Sequence, residues 1–347
     1  MKTPTMLKEI HQQPAALEKT LRLEEKNVRR IARRILDMGP RFIMLAARGT
    51  SDNAATYAKY LFEGANGIPC NLAAPSITTV YKKDIDLKGS VVIGISQSGE
   101  GTDINEVLSR ARAQGAFTIG ITNTANSAIT QVADASIRLR AGAENALAAT
   151  KTYTAQLLAI AMLSAALNGA RNAFDRLASI PHQMQKTLET EARILEIAAR
   201  YRYMQHCVII GRGYNYCTVR EAALKLMETN YVVAQPFSTA DFMHGPIAMA
   251  GEGFPVFVAA APGRMAQGVN RLIADLSARR VETVVVSSDK AALDRAAIAI
   301  PMPVTPDEPI SPLFYIVPFQ FLACFISQSR GIDPDKPRYL KKVTKTV

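Results

Sequence analysis

The sequence predicts an α/β protein of two similar domains, each a parallel sheet flanked by helices in a three-layer sandwich. One observation is the alternation of short apolar runs with helical stretches. RFIMLAA, SVVIGIS, AFTIGIT and ASIRL occupy the first half, and HCVIIG, FPVFVAAA, VETVVVSS and AIAIP the second. Strands covered on both faces read as continuous apolar runs, and crossover helices join parallel neighbours. The other observation is an internal echo. AARGTSDNAATYAKYL and IGRGYNYCTVREAALKL both place an R-G turn between an apolar run and a helix, at Gly49 and Gly213. Two domains related by an old duplication are expected.

In order, residues 1–38 form a helical leader, because EKTLRLEEKNVRRIARRIL spaces its apolar positions as a helix does. Pro40 ends that pattern. Residues 39–170 form the first domain, closed by the apolar helix KTYTAQLLAIAMLSAAL. A polar connection from 168 to 186 and a helix over 187–200 lead into the second domain, residues 198–332, whose last helix spans 312–329. Residues 333–347 form a basic tail, five of whose last twelve side chains, in KPRYLKKVTKTV, are cationic.

A chain of 347 residues has room for two cores. No apolar run is expected to reach the roughly 18–20 residues of a membrane helix. The stretch 312–326 comes nearest and is interrupted by Pro318 and Gln320. The start, MKTPTMLKEIHQQP, lacks a secretory apolar segment, so a cytoplasmic protein is expected. Cys70, Cys207, Cys217 and Cys324 form no CxxC pair and no ligand cluster with histidine, which predicts free thiols and no metal site. Cys70 and Cys217 are the two expected nearest the surface. The net charge of +11 suits either nucleic acid or an anionic small molecule. Its cations are scattered, without aromatic interleaving or a helix-turn-helix, so no nucleic-acid partner is expected.

Three segments carry candidate chemistry. In SQSGEGTD, residues 96–103, Ser96, Gln97, Ser98 and Thr102 surround two glycines where a helix begins. Backbone N–H groups and the helix dipole make such a loop a phosphate cradle, or simply a polar turn. It is neither a Walker A loop nor G-x-G-x-x-G. Thr50 and Ser51 sit on a loop of the same kind. In EAALKLME, Glu221, Lys225 and Glu228 share one helix face. Spacing leaves two readings of it: a solvated charge ladder, the commoner meaning, or a carboxylate base beside an ammonium. His244 precedes a Gly-Pro turn that points its imidazole outward, where it can exchange protons near neutral pH.

Taken in order, GTS, SQSGE, ATKTYTAQ, GRG…EAALKLMETNY…HGPIAM and DKPR-L-K resemble the isomerase half of glutamine–fructose-6-phosphate aminotransferase. That module is two sugar-isomerase (SIS) domains with Rossmann-like sheets, and the resemblance covers nearly the whole chain. It implies that Thr50, Ser51, Ser96, Gln97 and Ser98 bind a sugar phosphate. It makes Glu228 the base that moves a proton between C1 and C2, and places Lys225 near the phosphate and C1. It makes His244 the ring-opening group, donated by the partner subunit of a homodimer. Lys342, in the tail motif, would reach the open-chain sugar and form an imine. No metal or redox cofactor is implied.

Three positions depart from the family pattern. Gly101 stands where a phosphate-contacting threonine is usual, with Thr102 next to it; Ala149 replaces a serine; Arg48 replaces a cysteine. Residue 2 is a lysine rather than part of a glutaminase domain, and ARGTSDNAATYAKY with the tail resembles stand-alone glucosamine-6-phosphate deaminases of the SIS type. The leading expectation is therefore glucosamine 6-phosphate plus water to fructose 6-phosphate plus ammonia. The alternatives are an isomerase, deaminase or deglycase of another amino sugar phosphate, an isomerase subunit like that of the aminotransferase, or a non-catalytic sugar-phosphate regulator.

Overall fold

The computed structural model describes residues 3–169, 172 and 174–342. Two compact units emerge. One holds residues 12–144 and 151–181 together with Lys341 and Lys342. The other holds residues 3–11, 145–150 and 182–340.

In the first unit, β1 (Ile43–Ala46), β2 (Cys70–Leu72), β3 (Val91–Ile95), β4 (Phe117–Thr122) and β5 (Ala135–Arg138) form a parallel sheet in the order β2-β1-β3-β4-β5. β3 and β4 are buried along their whole lengths, as VVIGI and FTIGIT foretell. The helix Gln13–Met38 packs along the helix Lys151–Leu167 and buries Leu17, Val28, Ile31 and Ile35. It ends at Gly39, whose left-handed backbone lets its N–H reach the Ile35 and Leu36 carbonyls. Gly39, not Pro40, is thus the stop signal.

In the second unit, β6 (His206–Gly211), β7 (Val233–Ser238), β8 (Pro255–Ala259), β9 (Glu282–Ser287) and β10 (Ile298–Pro301) repeat the same topology in the order β10-β9-β8-β6-β7. Gly49 (φ 54°) after β1 and Gly213 (φ 61°) after β6 both take a positive φ. The repeated R-G of the sequence is therefore a repeated backbone requirement. The short helix Thr5–His11 belongs here: Asp335 accepts the Thr5 and Met6 N–H groups, and Glu9 accepts those of Asn145 and Ala146. The leader is thus two helices.

The helix Pro312–Ser329 corrects an expectation. With the turn before it, over Glu308–Ser329, it is long and apolar enough to cross a membrane by length and composition, yet 94% of its most apolar window is buried. It is a core helix, packed on the helices Tyr216–Asn230 and Thr190–Ala198. All four cysteines are also buried, Cys70 and Cys217 included. Burial pushes the thiols of Cys70, Cys207 and Cys324 up to about 12.

Candidate active site

In an open parallel sheet the ligand crevice lies beyond the carboxyl ends of the strands, where the strand order reverses. In the first unit that point falls between β1 and β3. It gathers the turn Arg48–Ser51 and the loop Ser96–Thr102. Each runs into a helix N-terminus, at Thr50–Asn66 and Thr102–Ala113. The Nε of Arg48 ties the two loops by donating to Asp103 Oδ2 at 2.8 Å. Ser51 is buried, and its Oγ accepts a hydrogen bond from Gln156 Nε2 at 2.9 Å.

The second loop is built around its own hydroxyls. Gly99 N–H donates to Ser96 Oγ at 3.1 Å, and Glu100 N–H donates to Ser98 Oγ at 3.3 Å. Two of the amides that the sequence offered to a phosphate are thus engaged within the loop. The serines that accept them keep their own protons to donate to an anion. Gly99 is required: its φ is +73°, and a Cβ there would lie 2.2 Å from Ser127 Oγ. The Gln97 carbonyl accepts the Asn123 N–H at 3.1 Å, anchoring the loop to the end of β4. Thr50, Ser96, Gln97 and Ser98 are half-buried and Thr102 is exposed. Lys342 is half-buried and belongs to this same unit; Lys345 lies outside the described residues.

In the second unit the helix Tyr216–Asn230 turns its charged face inward. Lys225 and Glu221 are both 0% exposed. Lys225 Nζ lies 2.6 Å from Glu228 Oε2 and 3.3 Å from Glu221 Oε1. This corrects the solvated-ladder reading, and Met227 of the same helix is the exposed side chain instead. Spacing alone cannot say which face is buried. Burial by itself pulls the Lys225 ammonium down, but the Glu221 and Glu228 charges outweigh it, and its pKa rises above that of a free lysine. Glu228 stays partly open, its side chain 23% exposed. The result is a carboxylate with one side fixed to a permanent cation and another side available.

His244 is exposed on the turn after β7, closing the short helix Thr239–Met243 ahead of Gly245 (φ 133°). The outward imidazole matches its Gly-Pro setting. The tail is ordered through its P-R step: Arg338 N–H donates to Tyr231 Oη at 3.0 Å, and its guanidinium stacks on that ring at 4.1 Å. Tyr231 follows the helix that carries Glu228. Asp103 and Gln156 were not legible as partners, because Arg48–Asp103 and Ser51–Gln156 span 55 and 105 residues. Among the described residues no group of three or more His, Cys, Asp or Glu side chains could hold a metal ion.

A family model for the SIS domain matches residues 40–166 and again 202–326. The chain belongs to the SIS-domain family. It is 38% identical over 339 residues to glutamine–fructose-6-phosphate aminotransferase (isomerizing) of Methanothermobacter thermautotrophicus, covering 97% of this chain and 56% of that protein. Against the Aquifex aeolicus enzyme of the same name, identity is 35% over 340 residues, covering 97% and 57%. The chain thus spans little more than half the length of these relatives. Among solved structures, the C-terminal domain of glucosamine-fructose-6-phosphate aminotransferase from Francisella tularensis superposes with a TM-score of 0.85 at 25% identity, covering 97% of this chain and 99% of that one. A glucosamine-6-phosphate deaminase from Thermotoga maritima gives 0.80 at 24% identity, with 99% and 100% covered. Sequence and structure point to the same class, an enzyme.

Proposed function

We propose that this chain is a phosphosugar aldose–ketose isomerase of the kind found in glutamine–fructose-6-phosphate aminotransferase, converting fructose 6-phosphate and ammonia reversibly into glucosamine 6-phosphate and water. The observation that carries the reading is Glu228, an accessible carboxylate fixed at 2.6 Å by the buried Lys225 ammonium. Aldose–ketose transfer needs one carboxylate to take a proton from one carbon and return it to its neighbour through an enediol or enolamine. A nearby cation stabilises the oxyanion that develops. In this reading Glu228 moves the proton and Lys225 steadies it. Lys342 forms the imine with the sugar carbonyl, and His244 assists ring opening from the partner subunit of a cytoplasmic homodimer. Thr50, Ser51, Ser96, Gln97, Ser98 and Thr102 bind the substrate.

The hydrolytic, deaminating direction has weaker support. Its named representative is 24% identical, a level that speaks for the fold alone. The relatives at 35–38% identity favour the isomerising half of the aminotransferase. The two reactions share their carbonyl chemistry and differ in the fate of ammonia, so one experiment weighs both. The chain is given fructose 6-phosphate with an ammonium salt, and separately glucosamine 6-phosphate alone. Interconversion of the sugars supports the proposal, and rapid ammonia release from glucosamine 6-phosphate assigns the hydrolytic direction. Activity in neither arm would overturn it.

A further inference from the structure

Arg48 ends the apolar run of β1 and precedes Gly49, whose φ is positive. Its Nε donates to Asp103 Oδ2 at 2.8 Å; the Asp103 side chain is 1% exposed and that of Arg48 51%. A guanidinium carries five donors in a planar fork, and the Nε bond uses one of them. The Nη edge that remains matches two oxygens of a phosphate. Arg48 stands where the strand order reverses, beside the N-termini of the helices Thr50–Asn66 and Thr102–Ala113. Both ends favour an anion. Gly101, at the start of the second helix, has no side chain to offer. The matching arginine of the second unit, Arg212, instead reaches Thr239 Oγ1 from Nη1 at 3.5 Å.

We infer that Arg48 is a phosphate-binding residue, oriented by Asp103 so that its Nη groups grip the phosphate monoester of the sugar. This inference rests on the phosphosugar reading above and adds a contact to it. The competing account is that Arg48 only neutralises Asp103.

Titration calorimetry with inorganic phosphate, and KM for fructose 6-phosphate, separate the two. The variants are Arg48→Lys and the double variant Arg48→Met/Asp103→Asn, which removes both charges and leaves no buried carboxylate without its cation. The double variant is expected to keep the wild-type Tm within a few degrees. It should lose about tenfold or more in phosphate affinity, as befits lost bonds to a charged group, and raise KM by a similar factor with kcat little changed. Wild-type affinity in the folded double variant would overturn the inference and leave the phosphosugar reading standing. If the double variant does not fold, Arg48→Lys decides. It keeps a charge against Asp103 but not the fork, so a loss of about threefold or more supports the inference and an unchanged affinity overturns it. A wild-type chain that binds neither phosphate nor sugar phosphate would overturn the phosphosugar reading and the inference together.

Discussion

Replacing Lys225 by methionine removes the ammonium that the helix Tyr216–Asn230 places between Glu228 and Glu221. Glu221 is 0% exposed and would face the interior without that cation. Taking one partner from a buried pair costs about 3–5 kcal/mol, because the charge left behind has lost its compensation. In a unit of this size each kcal/mol moves Tm by about 2–4 °C, so Lys225→Met should lower Tm by roughly 6–20 °C. The double variant Lys225→Met/Glu221→Gln removes the stranded charge as well and should recover most of the loss, with a coupling of about 2 kcal/mol or more. Urea unfolding of the wild type, both single variants and the double variant measures each corner of that cycle. A single variant within about 1 kcal/mol of wild type would refute the buried-charge reasoning. So would a double variant no more stable than Lys225→Met.

Further expectations rest on other parts of the structure. Because the Lys225 pKa is raised, the stability the ladder contributes is fully present below the free-lysine value of 10.5 and is lost only as pH rises through the folded value. The buried thiols set an earlier alkaline limit. Cys70, Cys207 and Cys324, held protonated by burial, should drain stability as pH climbs from 9.0 towards about 12, and Cys→Ser variants at those sites should flatten that slope in urea titrations. Gly99→Ala must place a Cβ against Ser127 at φ +73°, and is expected to cost about 1–3 kcal/mol and weaken phosphate binding, read by thermal shift and calorimetry. Lys342 is half-buried and His244 exposed, and their alanine variants are expected to lose about 10²-fold or more in turnover while Tm changes by no more than a few degrees. Turnover near wild type in either would remove that residue from the catalytic set.

The parts of the fold visible in the sequence are those that burial writes directly into it. β3, β4, β8 and β9 are central strands, covered on both faces, and their runs of Val and Ile could hardly be anything else. The edge strands β2 and β7 left no such trace. Cys70–Leu72 is short and mostly exposed, and Val233–Ser238 contains Pro236, which an edge strand tolerates and a central one does not. The backbone of the candidate site was legible where the conformation is local, as at Gly49 and the serine-glycine loop after β3. The site was not legible where partners meet only because the sheet orders its strands, as Arg48 meets Asp103. The charged helix face was found but its burial was misjudged, since Glu221, Lys225 and Glu228 have the same spacing on a wet surface as in a core.

The central claim is that Glu228 carries a proton between neighbouring sugar carbons, with Lys225 holding it in place. Exchange of the C1 hydrogen of fructose 6-phosphate with deuterated solvent, followed by NMR in the wild type and in Glu228→Gln, tests it most directly. The exchange should be enzyme-dependent and fall by about 10²–10⁴-fold in the variant, with sugar-phosphate affinity nearly unchanged. Exchange at the wild-type rate in Glu228→Gln, or loss of binding and fold along with it, would contradict the account.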